Sequence, residues 1–230
     1  LSATDVSSTS ATLNGVVNPS NLNTTAYFNW GISNVEENQI VYEGQLEGED
    51  DIEIELALEN LLPGKQYQFR AKASNLGGVT LGETLTFNTI TDKPIAGELI
   101  VQSFESRSIQ VSGSIISDGG LDLLVSGICV STSPDPTPSD LFFEISGIEG
   151  TFTVAIFPFI PNSTYYFRLY LENDLGSVYS NEVIATTLLE VPEVITLQTN
   201  SITSNAASLV GELSSLWNTD YSSIGFVFHT

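Results

Sequence analysis

Leu62-Pro63-Gly64-Lys65-Gln66-Tyr67-Gln68-Phe69-Arg70 and Ile160-Pro161-Asn162-Ser163-Thr164-Tyr165-Tyr166-Phe167-Arg168 are one pattern written twice, 98 residues apart. The same step continues on both sides. Asn75 corresponds to Asn173, Gly78 to Gly176, Leu85 to Val183 and Thr89 to Thr187. Toward the start of the units, Gly15, Gly113 and Gly211 keep it, as do Gly127 and Gly225. A fixed period marks a tandem array of one folding unit. The 230 residues divide into repeat 1 over 1–91, repeat 2 over 92–189 and the opening of repeat 3 over 190–230.

Each unit has the periodicity of strands. Asp51-Ile52-Glu53-Ile54-Glu55-Leu56 alternates polar and apolar, as a strand with one buried face must. Tyr67, Phe69, Ala71 and Ala73 alternate with Gln66, Gln68, Arg70 and Lys72, and Tyr165, Phe167, Leu169 and Leu171 form the matching inward set. Ala11–Val17 and Tyr27–Trp30 read as further strands. Turn signals separate them at Asn18-Pro19-Ser20, Leu62-Pro63-Gly64, Asn75-Leu76-Gly77-Gly78 and Asp118-Gly119-Gly120. No window has helical periodicity. Short strands in a unit of about 100 residues predict an all-β chain of tandem seven-stranded antiparallel β-sandwiches.

The run Leu-Pro-Gly-x-x-Tyr-x-Phe-Arg-Ala-x-Ala-x-Asn-x-x-Gly, from Leu62 to Gly78, resembles the corner, strand and loop at the heart of fibronectin type III domains. That resemblance implies that Tyr67 and Tyr165 are tyrosine-corner residues, with hydroxyls bonded to backbone a few residues upstream. It further implies that Leu62 and Ile160 plug the bottom of each sandwich. The region where many such domains hold a Trp reads Ala11-Thr12-Leu13-Asn14-Gly15 and Ile109-Gln110-Val111-Ser112-Gly113 here. With Asp118-Gly119-Gly120 and Tyr179-Ser180-Asn181-Glu182-Val183, the repeats are similar to those of large surface proteins of Bacteroidetes-type bacteria.

Charge narrows the function. Lys and Arg total 6 against 28 Asp and Glu, a formal net charge of −22. The acids divide 12, 12 and 4 over the three segments, so acidity belongs to the unit and not to a tail. A polyanion repels phosphate backbones and anionic headgroups, which argues against nucleic acid and membrane surfaces as partners. No apolar run is long enough to insert into a membrane as a helix. One cysteine, Cys129, excludes an internal disulfide framework and reads as a buried inert thiol in Gly127-Ile128-Cys129-Val130. The lone His229 has no triad or ligand partners nearby. Nucleophilic triads and zinc sites are therefore not expected, and neither is a cofactor. Sequons occur at Asn23 and Asn162, and no Arg-Gly-Asp is present.

Three features invite a functional reading. The acidic run Glu47-Gly48-Glu49-Asp50-Asp51 offers oxygens of the kind calcium takes, but EF-hand spacing is absent and repeat 2 has no equivalent run. A solvated loop accounts for it, and no metal is expected. Arg70 and Arg168 occupy equivalent outward positions and suit a partner's carboxylate or an acidic sugar; the plainer reading gives each a cross-strand carboxylate in its own unit. Trp217, 98 residues after Gly119, falls in a loop where an exposed indole suits contact with protein or glycan, or covers the join to a neighbouring unit.

The function expected from these features is non-enzymatic: an extracellular or cell-surface stalk, adhesin or fibre subunit. Its partners would be other proteins or glycans at a cell surface, including copies of itself. The alternative is a spacer or glycan-binding accessory region of a large secreted polysaccharide-degrading enzyme. Pro94 and Pro192 in the linkers limit hinge freedom. The chain begins at Leu1 and has no Met, so a mature or excised segment is the expectation. Repeat 3 is expected to contribute strands over Asn205–Gly211 and Ser223–Phe228, leaving Leu209, Phe226 and Phe228 exposed. Because the register holds to the last residue, continuation past Thr230 is favoured over completion by a neighbouring subunit's strands.

Overall fold

The computed structural model describes residues 1–191, 193–213 and 224–227, and among them every regular element is a β-strand. The first sandwich comprises β1 (Ala11–Val17), β2 (Thr25–Gly31), β3 (Asn38–Val41), β4 (Ile52–Leu58), β5 (Gln66–Asn75), β6 (Gly78–Leu81) and β7 (Leu85–Asn88). One sheet pairs β1 with β4, and Thr4 bridges to Thr12 on the free side of β1. The other runs β3-β2-β5-β6, with β7 also on β5. All pairings are antiparallel.

The second sandwich repeats this plan. It comprises β8 (Ile95–Ala96), β9 (Ile100–Phe104), β10 (Ile109–Ser117), β11 (Val125–Ser131), β12 (Leu141–Glu144), β13 (Gly150–Ile156), β14 (Thr164–Asn173), β15 (Gly176–Tyr179) and β16 (Val183–Thr186). One sheet is β13-β10-β8, with β9 also on β10; the other is β12-β11-β14-β15, with β16 also on β14. Counted by path, the first and last strands are each broken in two. The layout is that of a fibronectin type III-like sandwich.

The inward sets meet as the alternation requires. In the first core Leu13, Phe28, Ile54 and Phe69 are buried together; in the second, Leu99, Ile109, Ile128, Phe167 and Leu169. The repeat is not uniform between strands, however. Phe28 lies opposite Ala71 and Ile128 opposite Leu169, so β11 runs 100 residues after β2, whereas β14 runs 98 after β5. Two extra residues sit in the loop before β11, and that loop reaches toward the first sandwich.

Beyond the second sandwich, β17 (Val194–Asn200) pairs with β18 (Ser208–Leu213). β18 starts three residues later than the expected strand from Asn205. Of the strand expected over Ser223–Phe228, the described part, Ile224–Val227, belongs to no strand. Leu209 and Phe226 are exposed.

Candidate functional site: the joint between the sandwiches

Both corners form in the same way. The Tyr67 hydroxyl accepts the Leu62 N–H at 2.8 Å, and the Tyr165 hydroxyl accepts the Ile160 N–H at 3.0 Å. Burial pushes the Tyr67 phenol above its ordinary pKa, so it stays protonated. Thr89 and Thr187, buried at the ends of β7 and β16, complete each corner. Their hydroxyls donate to the Leu62 and Ile160 carbonyls at 2.7 Å and accept the Lys65 and Ser163 N–H groups at 3.0 Å. The plugs differ from the expectation by one residue. Leu61 and Phe159 are buried, whereas Leu62 is half-buried and Ile160 is 51% exposed. Donating an N–H to the tyrosine turns residues 62 and 160 outward, so the preceding side chain enters the core.

These corners hold the loop that meets the next sandwich. Gly64 has φ +63° and faces Gly120, at φ +78°; a Cβ on Gly64 would lie 2.4 Å from the Gly120 Cα. Only two glycines permit this backbone-to-backbone approach. Beside them, Lys65 Nζ reaches across to Glu149 Oε1 at 2.8 Å and lies 3.8 Å from Asp118 Oδ1. Glu149 Oε1 also accepts the Asp118 N–H at 3.0 Å. The hydrogen bond to Glu149 raises the Lys65 pKa. Burial alone would raise that of Glu149, but the hydrogen bonds from Lys65 and the Asp118 N–H hold its carboxyl below the usual range.

The linker is held as well. Asp92 accepts from Ser8 Oγ at 2.7 Å on one side. On the other, its N–H donates to the Gly119 carbonyl at 3.0 Å and its carbonyl accepts from Asn173 Nδ2 at 2.8 Å. Asn173 Nδ2 also donates to the Asp118 carbonyl at 2.9 Å, tying the linker to the loop. Pro94 is buried. At the far end of the second sandwich the corresponding grip has different chemistry. Arg107 Nε donates to both Glu190 oxygens, at 2.9 and 3.0 Å, a bidentate clamp on the residue equivalent to Asp92. The Asp92 grip and the Arg107–Glu190 clamp lie at opposite ends of β14, whose ten residues span about 30 Å.

The expected site residues scatter. Arg70 pairs with Glu36 and Arg168 with Asp135, the latter at 3.2 Å. Both acids lie in the turns following β2 and β11, not on a neighbouring strand, where Asn29 and Cys129 sit opposite the arginines. Arg168 also stacks on Tyr179, 4.1 Å from the ring centroid. In the acidic run, Asn18 Nδ2 donates to the Glu49 carbonyl and to Asp51, and Asn21 donates to Glu49. Among the described residues no group of three or more His, Cys, Asp or Glu is placed to hold a metal ion. Among them, too, no helix is long and apolar enough to cross a membrane. Trp217 and His229 lie outside the described residues.

Sequence reasoning missed Lys65. A signal existed: it is one of six cations and stands where repeat 2 has Ser163, but repeat comparison aligns residues without showing which ones touch.

No family model matches the chain, and neither does any curated protein. Among solved structures the chain is similar to the FN1–FN3 domains of chicken CNTN1, at 13% identity over 94% of this chain and 84% of that one, with a TM-score of 0.48. It is also similar to the sensor domain of the anti-sigma factor RsgI4 of Pseudobacteroides cellulosolvens, at 19% identity over 39% of this chain and 89% of that one, with a TM-score of 0.32.

Proposed function

We propose that this chain is a stiff, non-enzymatic spacer of extracellular or cell-surface type, whose repeats hold an adhesive or structural partner at a set distance. The observation that supports this reading is the joint. A flexible tether needs only a linker, yet here two glycines, a lysine between two carboxylates and a hydrogen-bonded Asp92 all serve to seat one sandwich on the next. With the first joint at one end of the second sandwich and the Arg107–Glu190 clamp at the other, each added unit would add length. A net charge of −22 keeps such an array soluble and discourages sticking between rods. Units 1–91 and 92–189 are the proposed repeats. Partners would be a protein or a glycan, or further copies of the chain.

Small-angle scattering on the 230-residue chain tests the stiffness, together with distances between spin labels on the two sandwiches. A narrow distance distribution and an elongated profile are the expected results; a broad distribution, as for freely jointed units, refutes the reading. A screen of glycosidase, esterase and peptidase substrates should stay at background. Turnover abolished by replacing one Asp or Glu would refute the non-enzymatic part.

A further inference from the structure

β13 (Gly150–Ile156) is an outer strand of its sheet. One side pairs with β10 in an unbroken antiparallel register from Ile109↔Ile156 to Ile115↔Gly150, and among the described residues no strand pairs with the other side. A free edge is a row of unpaired N–H and C=O groups, and proteins blunt such edges with charge, proline, bulges or shortness. β13 uses none of these. It reads Gly-Thr-Phe-Thr-Val-Ala-Ile, seven residues without a charge, a proline or a shift in register. Other edges of the two sandwiches are better guarded. The uncharged strands β3, β6, β7, β9, β15 and β16 have only four or five residues, and the longer β1 is crossed by Thr4, which bonds Thr12 in both directions.

The first sandwich shows what β13 has given up. β4 pairs with β1 in the same register 98 residues earlier, so the two edges compare position by position. The exposed side chains Glu53 and Glu55 on β4 become Thr151 and Thr153 on β13, with Ala57 matched by Ala155. Just beyond the strands, Glu59 becomes the exposed Phe157. Asp51 becomes Glu149, whose carboxylate is occupied by Lys65 and the Asp118 N–H. Two copies meeting along β4 would set carboxylates against carboxylates, which is unfavourable across a ladder; along β13 they would set threonines and alanines together, and Thr–Thr pairs are favourable. In a chain of net charge −22, a second copy approaches most readily along a strand without carboxylates.

We infer that β13 pairs with β13 of a second copy of this chain, antiparallel about a two-fold axis at Thr153, so that two sheets become one. The contact is self-complementary, as a two-fold interface must be. Thr153 faces its own counterpart, and Thr151 faces the second copy's Ala155. The same register carries Phe157, 65% exposed, past the end of the opposite strand toward the second copy's Ile148, 76% exposed. Two apolar side chains left in water on a single chain thereby gain cover. The inference rests on the spacer reading only in taking copies of the chain as partners. Stiffness is read within one chain and this contact between chains, so either can fail alone.

Sedimentation of the 230-residue chain from low micromolar to millimolar concentration tests this. A monomer–dimer equilibrium is expected, and added salt should strengthen it, because screening relieves repulsion between two acidic chains. The double variant T151E/T153E copies β4, where glutamates at the same exposed positions are compatible with the fold, so its Tm should stay close to the parent's. Its dimer should be at least about tenfold weaker. In a second measurement, Thr153→Cys should give a disulfide-linked dimer under mild oxidation, since facing residues of an antiparallel ladder lie within disulfide reach. Glu55→Cys, its equivalent on β4, should not. These cysteine variants carry the test however the glutamate variant folds. A chain that stays monomeric at every concentration would overturn the proposal, as would a dimer that survives T151E/T153E or equal linkage through both cysteines. A monomeric chain that binds a soluble peptide copying Gly150–Ile156 would also overturn it, and would make the edge an acceptor for strands of other proteins.

Discussion

Replacing Gly64 by Asn tests the joint with a residue the protein already uses. Asn162 occupies the equivalent place in the second sandwich at φ +51°, so the left-handed backbone is open to Asn, and the cost to the first sandwich's own fold should be only a few tenths of a kcal/mol. Across the joint the outcome differs. The new Cβ would lie 2.4 Å from the Gly120 Cα and 3.1 Å from its nitrogen, both backbone atoms. Ordinary carbon contacts need about 3.5–4.0 Å, so the loops must part by roughly 1 Å or more. Lys65 then loses its 2.8 Å contact with Glu149. A partly exposed ion pair is worth up to about 1 kcal/mol, and lost loop packing brings the total to about 1–2 kcal/mol. The seated joint should become about 5–30-fold less populated relative to open forms. Spin labels on cysteines introduced at exposed Glu83 and Glu144 report this, since buried Cys129 should remain unlabelled. A broadened distance distribution is expected, with unfolding of the first sandwich nearly unchanged. An unaltered narrow distribution would refute the role given to the glycine pair. So would destabilisation of the first sandwich by several kcal/mol, which would place Gly64 in that sandwich's own fold.

Tyr67→Phe leaves the Leu62 N–H without its acceptor and should cost about 1 kcal/mol in urea unfolding of the first sandwich, with Tyr165→Phe doing the same in the second. Because Glu149 is held below the usual carboxyl range, its contribution to the joint is present above that range and is lost as pH falls through its depressed pKa. Spin-label distances should therefore broaden at acid pH, and Lys65→Ser, which copies Ser163, should remove most of that pH dependence. High salt should weaken the same contact. Burial pushes the Cys129 thiol up to about 12, so a thiol-reactive dye at pH 8 should label the folded chain negligibly and the denatured chain fully.

Strand content and corners were legible because both depend on local rules. Alternation over Ile52–Leu58 assigns the buried face wherever the strand lies, and a Tyr five residues after Leu62 can reach only its own loop. The plug was misplaced by one residue because the hydrogen bond to the tyrosine, not side-chain size, decides which way residues 62 and 160 point. The cation partners were misjudged for a related reason. Glu36 and Asp135 lie in turns, where no alternation rule says which side chain returns to the sheet.

By itself the sequence determined the repeat, the all-β class, the paired corners and the acidity of each unit, since periodicity and composition survive any arrangement of the units. Only the tertiary structure decided that Gly64 meets Gly120, that Lys65 bridges to Glu149, and that β8 pairs with the end of β10. Those contacts join residues tens of positions apart through loops and a broken strand. Their geometry is set by how one sandwich seats on the next, and a comparison of repeats leaves no trace of it.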